Sequence, residues 1–125
     1  MNKIIMTFLL MLPLFGFSQD YDQISSAFSQ GNASVLGKMF DAKVEYTSDG
    51  KEQSLGRGDA ENKLRSFFMS HTPRNFSVVH KGVSQNDLHY LIGELATSSG
   101  SYRATVYLHK SGENYLIQSL ELEAD

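Results

Sequence analysis

Residues 88–110 read LHYLIGELATSSGSYRATVYLHK, and this stretch decides the fold class. Apolar and polar side chains alternate in both halves, which is typical of β-strands with one buried face. The small polar residues 98–101 between the halves predict a tight turn. Strands joined by so short a connection pair as antiparallel neighbours. The stretch therefore predicts a β-hairpin within an antiparallel sheet.

Two further strands flank this hairpin in the sequence. The alternation predicts strands at Phe76–Val83 and Asn114–Glu123, beside those at Leu88–Thr97 and Tyr102–Lys110. Each connection is short and rich in Ser, Gly, Asn or Asp. The carboxyl-terminal half is therefore predicted to be a four-stranded meander.

The amino-terminal half begins with two short helical patterns. Ile24, Ala27 and Phe28 share one helix face, and Gly31 is placed to end that helix. Asn32 is a suitable N-cap for a second helix. Both segments are predicted to be amphipathic helices that pack on the sheet.

A hairpin and a longer helix come next. Alternation from Ala42 predicts a strand, and Asp49-Gly50 is a strong signal for a type I′ turn leading to an edge strand over 51–55. Asp59 is predicted to cap the clearest helix, which Thr72-Pro73 would end. Its apolar stripe comprises Ala60, Leu64, Phe67, Phe68 and His71.

Helices segregated from an antiparallel sheet make an α+β domain. Treating Gln85-Asn86 and Ser99-Gly100 as two-residue loops fixes the register and assigns side chains to faces. The nearly apolar face, on which the helices should pack, collects Phe76, Val78, His80, Gly82, His89, Leu91, Gly93, Leu95, Tyr102, Ala104, Val106 and Leu108. The mixed face collects Val79, Lys81, Tyr90, Ile92, Glu94, Ala96, Arg103, Thr105, Tyr107 and His109.

This order of elements resembles the nuclear transport factor 2-like (cystatin-like cone) superfamily. Within it, the chain resembles a small exported bacterial family known as domain of unknown function 4783. The residues that carry the likeness are Phe67-Phe68, Pro73, Phe76, His80-Lys81-Gly82, Tyr90-Leu91-Ile92-Gly93, Gly100, Tyr102-Arg103 and Ile117-Gln118-Ser119-Leu120.

The resemblance implies helices on the concave face of a curved antiparallel sheet, with a conical pocket between them. It also implies, in many members, dimerisation through the convex face. It supplies no activity, because one fold hosts many functions. The pocket candidates are His80, His89, Phe67, Phe68, Tyr46, Gly93 and Gln118, and the dimer-face candidates are Tyr90, Ile92, Arg103 and Tyr107.

The residues offer little catalytic chemistry. No acid is predicted on the central strands of the apolar face, so a general acid–base pair has no obvious carboxylate. A pocket that joins His80 to Asp41 stays open as an alternative, and so does a two-histidine metal site of His80 and His89. No histidine has a spacing such as His-x-x-x-His, and the chain has no cysteine. We therefore expect neither a metal nor a cofactor.

The first 19 residues resemble a secretory leader. Lys3 precedes an apolar run of about 14 residues, short of the roughly 20 that span a bilayer, although a retained membrane anchor is the alternative. We expect Met1–Gln19 to be a signal peptide and 20–125 a single exported domain, periplasmic or secreted. A net charge of −3 argues against nucleic acid and against anionic membranes as partners.

These observations favour an exported, non-enzymatic domain that binds a small apolar ligand or a protein or peptide partner in its pocket. We expect it to form a homodimer through the mixed face. Two other hypotheses remain: a small lyase or isomerase that uses His80 as general acid or base, and a purely structural partner domain.

Overall fold

The computed structural model describes residues 20–125, so the predicted leader Met1–Gln19 lies outside the described residues. Helix α1 covers residues 20–30, and the other helices are α2 (Ala33–Met39) and α3 (Arg57–Ser70). The strands are β1 (Phe40–Ser48), β2 (Lys51–Gly56), β3 (Pro73–Val83), β4 (His89–Thr97), β5 (Gly100–Ser111) and β6 (Asn114–Ala124). None of the helices in this range is long and apolar enough to cross a bilayer.

The six strands form one curved sheet in the order β2-β1-β6-β5-β4-β3. The meander β3–β6 is antiparallel throughout, as predicted, and β1 and β2 form the predicted hairpin. The two parts join where β1 runs parallel to β6. The three helices pack on one face, so the predicted α+β fold with helices over a curved sheet is confirmed.

The predicted turn and cap residues act locally as expected at two junctions. Gly31, at φ +65°, ends α1, and the side chain of Asn32 accepts a hydrogen bond from the Val35 backbone N–H at 3.2 Å to begin α2. Asp49 and Gly50 both have positive φ, at 54° and 77°, as a type I′ turn requires.

The predicted start of α3 is wrong by three residues, because Asp59 is the predicted N-cap and Gly56 is the observed one. The helix begins at Arg57, and its N-cap is Gly56, which has no side chain to bond the first turn. Asp59 lies inside the first turn, where its carboxylate still favours the positive end of the helix dipole. The predicted stripe is correct for Ala60, Leu64, Phe67 and Phe68, which are all buried.

Aromatic side chains fill the space between the helices and the sheet. Phe28 of α1 stacks on Phe76 of β3 with 4.9 Å between ring centroids, and Phe68 of α3 meets Phe28 edge to face at 6.1 Å. The hollow of the cone is therefore packed at this point.

The β4–β5 turn comprises Ser98 and Ser99, so Thr97 pairs with Gly100. With the predicted loop, Ser99-Gly100, the predicted pairing of these strands differs from the observed pairing by two residues at every position. A shift of two leaves each side chain on its face, and the predicted faces of β4 and β5 are correct.

A bulge in β3 makes the predicted faces of its last residues wrong. Val78 pairs with Gly93 but His80 pairs with Ile92, so Val79 is an extra residue. His80 and Gly82 therefore share the outer face of the sheet with Ile92. Lys81 is placed on the helix side, where its ammonium lies 5.2 Å from the Tyr21 ring centroid.

Candidate functional site

A cleft of about 270 Å³ opens between the β1–β2 hairpin and α3. The hairpin register pairs Tyr46 with Gln53 and Ser48 with Lys51, which places these four side chains on the helix side near the turn. Asp49 of the turn completes this wall. The hairpin therefore supplies one aromatic ring, two neutral polar groups and two opposite charges.

Helix α3 supplies the other wall. Lys63, Ser66, Phe67 and Ser70 recur at i, i+3, i+4 and i+7, so they form one stripe that faces the hairpin. His71, the C-cap residue, closes the end of this stripe. Apart from Phe67, the helix wall is hydroxyl, ammonium and imidazole.

Tyr46 forms an aromatic part of the lining and stays neutral over the physiological range. Its side chain is buried, and burial together with the nearby Asp49 charge raises the pKa of Tyr46 to about 12. A phenol kept protonated is a hydrogen-bond donor as well as an acceptor.

Two ammonium groups in the cleft have no carboxylate partner. Within residues 20–125, no Asp or Glu oxygen lies within 4.0 Å of the Lys51 or Lys63 nitrogen. Arg65, on the same helix, is instead engaged by Glu61 at 2.6 Å. The positive charges of the cleft are therefore available to a ligand.

The end of the cleft is held by contacts between α3 and the β4–β5 turn. His71 Nδ1 is hydrogen-bonded to Ser99 Oγ, and the Tyr102 hydroxyl lies 3.3 Å from the same nitrogen. Tyr102 also meets the Phe67 ring edge to face at 5.0 Å between centroids. These contacts fix the position of Phe67 in the cleft wall.

Only two of the predicted pocket residues, Tyr46 and Phe67, line this cleft. Phe68 packs in the core beneath α1. Gly93 is covered by the Phe76 ring, which lies 2.2 Å from where a Cβ would stand. The structure therefore separates the predicted pocket into a filled interior and a cleft at the hairpin end.

The other predicted pocket residues lie elsewhere. His89 is buried against the Tyr115 ring, at 4.7 Å between centroids. Gln118 is the extra residue of a bulge in β6, because Tyr107 pairs with Ser119 and Leu108 pairs with Ile117. None of these residues lines the cleft.

The predicted position of His80 on the helix-packed face is wrong. Its exposed ring lies on the outer face, where Nε2 shares a hydrogen bond of 2.7 Å with the Tyr90 hydroxyl. His89 is on the opposite face, so the two histidines do not form a common site. Within the described range, no three His, Cys, Asp or Glu side chains are grouped closely enough to hold a metal.

The predicted dimer-face residues do share the outer face. Tyr90 pairs with Tyr107 across β4 and β5, and Ile92 and Arg103 point to the same side. Arg103 also approaches Glu94, with 3.8 Å between Nε and Oε1. Tyr90, Ile92 and Tyr107 are half-buried by their neighbours.

Sequence reasoning missed an Asp–His pair on the outer face. His109 Nε2 donates to Asp41 Oδ2 at 2.6 Å, and this bond is the main cause that lowers the pKa of Asp41. Asp41 and His80 do not meet, because β6, β5 and β4 separate their strands by roughly 19 Å. No local pattern could show the pair, because 68 residues separate its members.

Known proteins resemble this chain over nearly all of the described range. The model of the family described as "Domain of unknown function (DUF4783)" matches residues 21–123. A member from Bacteroides fragilis is 28% identical with a TM-score of 0.78, covering 82% of this chain and 96% of its own. A member from Bacteroides ovatus is 26% identical with a TM-score of 0.79, covering 82% and 93%.

A more distant likeness concerns the fold alone. An NTF-2 like protein of unknown function from Silicibacter pomeroyi is 13% identical, with a TM-score of 0.65 over 90% of this chain and 95% of its own. No curated protein matches the chain.

Proposed function

The chain belongs to the DUF4783 family, whose domains have no known function, and we propose that it is an exported, non-enzymatic binding domain. Its ligand would be a small molecule held in the cleft between the β1–β2 hairpin and α3. A second copy would pair with it through the outer face of the sheet.

The cleft is the single observation that supports ligand binding. Its volume of about 270 Å³ is just below the range of about 300–1,000 Å³ usual for small-molecule sites, so the ligand would be small. Its lining combines the rings of Tyr46 and Phe67 with several polar groups, the mixture that such sites use for affinity and orientation. The sequence predicts a small apolar ligand or a protein or peptide partner, whereas this lining suits a small molecule with both apolar and polar parts.

Filling the cleft tests the proposal. Ser66→Phe places a ring in the helix wall, and Ser26→Phe, on the exposed face of α1, is the matched control. Native mass spectrometry of protein from its own host should detect a retained small molecule in the wild type and in Ser26→Phe, but not in Ser66→Phe. Equal retention by Ser66→Phe, or no bound molecule in the wild type, would contradict the proposed site.

The outer face supports the proposal of a homodimer. Tyr90, Ile92 and Tyr107 place two aromatic rings and an aliphatic chain at its centre, and a subunit interface favours such residues. Arg103 lies beside them.

A charge at the centre of this face tests the dimer. Sedimentation at tens of micromolar should show a dimer for the wild type and a monomer for Ile92→Asp. Asn62→Asp, on exposed α3, adds the same charge away from the face and should remain dimeric. A monomeric wild type would end the proposal.

No observation favours the alternative lyase or isomerase. That hypothesis needs His80 inside a pocket, whereas its ring is exposed on the outer face and bonded to Tyr90. If the protein shows turnover in any assay and a His80→Ala variant keeps full activity, the lyase or isomerase hypothesis is excluded.

A further inference from the structure

We infer that the ligand of the cleft carries an anionic group, a carboxylate or a phosphate ester, on a small aromatic or apolar body. This inference rests on the proposed binding role of the cleft and specifies the chemistry of its ligand. Lys51 and Lys63 would bind the anion, and the rings of Tyr46 and Phe67 would contact the body.

The position of the lysines supports the anionic group. Lys51 lies on the hairpin wall and Lys63 on the helix wall, so the two lysines line the cleft on opposite sides. Neither has a carboxylate within 4.0 Å in residues 20–125. An anion between them would gain two charge-assisted hydrogen bonds, which are stronger than neutral ones.

The neutral polar groups suit the same ligand. Ser66 and Ser70 present hydroxyl donors along the helix wall, and the neutral Tyr46 phenol is a further donor. A cationic ligand would instead face two ammonium groups with one carboxylate, Asp49, to offset them.

A second cavity adjoins the cleft along α3, and its lining is less favourable for an anion. It measures about 420 Å³ and shares Lys63 and Ser66 with the cleft, but its wall includes Asp59. Lys51 does not line it. The cleft at the hairpin end, with both lysines, is therefore the favourable position for an anion.

Benzoate and phenyl phosphate, with benzamide as the neutral analogue, test the inference by NMR titration of the ¹⁵N-labelled protein. The anions should shift the backbone amide signals of residues 46–53 and 63–71 saturably. Benzamide should bind at least about tenfold more weakly, because it lacks the charge-assisted bonds. Raising the salt concentration should weaken the anions selectively.

Three variants of the cleft should change the affinity for benzoate, two by weakening it and one by strengthening it. Lys51→Met and Lys63→Met should each weaken benzoate binding about tenfold. Asp49→Asn should strengthen it, and this variant keeps an Asn-Gly pair that suits the same turn. Lys110→Met, at an exposed position on β5, removes an equal charge outside the cleft and should change nothing.

The outcomes separate the two proposals. Equal binding of benzoate and benzamide, or loss of benzoate affinity in Lys110→Met as large as in Lys63→Met, would overturn the anionic ligand and leave cleft binding intact. Absence of any shift at the cleft with all three probes would count against both proposals.

Discussion

Gly93 is the residue that allows the aromatic side chains to fill the cone. A Cβ at this position would meet the Phe76 ring at 2.2 Å, with no room to move because Phe28 stacks on that ring. The packing of three elements therefore depends on a missing side chain.

Gly93→Ala should lower the free energy of unfolding by about 1–3 kcal/mol, the usual cost of overpacking. Gly58→Ala, where nothing lies within 4 Å of the new methyl group, is the control and should be at least as stable as the wild type, because alanine favours a helix more than glycine does. Urea denaturation measures both. Equal stability of the two variants would show that the Phe76 ring is free to move away.

Asp41 links β1 to β5 through His109, and its contribution should depend on pH. The hydrogen bond from His109 lowers the pKa of Asp41 from its ordinary value of 3.8. Its stabilising effect is therefore present above that value and is lost as the pH falls through the lowered pKa. With about a third of each side chain exposed, the pair is worth at most about 1 kcal/mol.

Asp41→Asn should therefore cost about 0.5–1 kcal/mol near neutral pH, and this cost should shrink as the pH falls below 3.8 through the lowered pKa of Asp41. Chemical denaturation at several pH values measures the difference. Asp22→Asn, at an exposed position of α1, controls for the change in net charge. A difference that persists unchanged in acid would show that the carboxylate is not the source of the stabilisation.

Single residues were predictable where the backbone near them sets their role. Asn32 caps α2, and Asp49-Gly50 forms the turn, because each acts on amides within a few positions. The same reasoning predicts Asp59 as the cap of α3, but the helix begins earlier, at Arg57. The pairing of Asp41 with His109 was not predictable, because the two residues lie on strands that are far apart in the sequence.

Helix α3 serves both the core and the cleft. Phe68 is buried against Phe28, whereas the next residue, Met69, is 79% exposed. Adjacent positions of one helix therefore differ sharply in what they contribute to stability.

Phe68→Ala should cost about 3–5 kcal/mol because it leaves a cavity in the core. Met69→Ala, an equally apolar truncation one residue away, should stay within about 0.5 kcal/mol. Thermal or urea unfolding compares them. Similar losses for both would contradict the observed orientation of the helix.

The bulge at Val79 should make β3 tolerant of a shorter chain. Deleting Val79 restores one-to-one pairing and leaves His80 opposite Ile92, so the variant should fold with a loss of about 1–2 kcal/mol. Deleting Thr105, within the regular pairing of β5, should instead prevent folding because it moves side chains to the wrong face. Circular dichroism distinguishes the two, and equal loss of structure would contradict the assigned bulge.

Elements were predictable where one periodicity runs without interruption. The strands β4, β5 and β6 and the stripe of α3 follow from alternation and from helical spacing. The predicted faces of β4 and β5 are correct although the predicted turn is wrong, because the register error is two residues and side chains two positions apart share a face. In β3 an extra residue reversed the faces after Val78, and no residue type at 78–80 marks a bulge. The predicted pocket is wrong for this reason, because it depends on His80 facing the helices and the bulge places His80 on the outer face.

At the scale of the whole molecule, the parallel pairing of β1 with β6 joins the two halves of the sheet. The sequence could not show this, because 74 to 77 residues separate the paired positions and no turn links them. The cleft depends on it, since the pairing holds the hairpin beside α3. Resemblance to a known fold supplied the architecture that local patterns left open.

Export of the whole chain is open to a direct measurement. Mass spectrometry of the protein from the medium or periplasm of its host should give the mass of a chain that starts near residue 20. Protein from the cytoplasm of cells with blocked secretion should keep Met1–Gln19 and serves as the control. An intact leader on the mature protein in the membrane fraction would favour the anchor instead.

Because β6 lies between β1 and β5, the order in which the chain is made differs from the order in which the sheet closes. A nascent chain that has released β1 and β2 has no strand on which to dock them until β6 emerges. Until then, the edge of β1 that pairs with β6 in the finished sheet has no partner strand. The sheet is therefore complete only after its last strand, β6, has been synthesised.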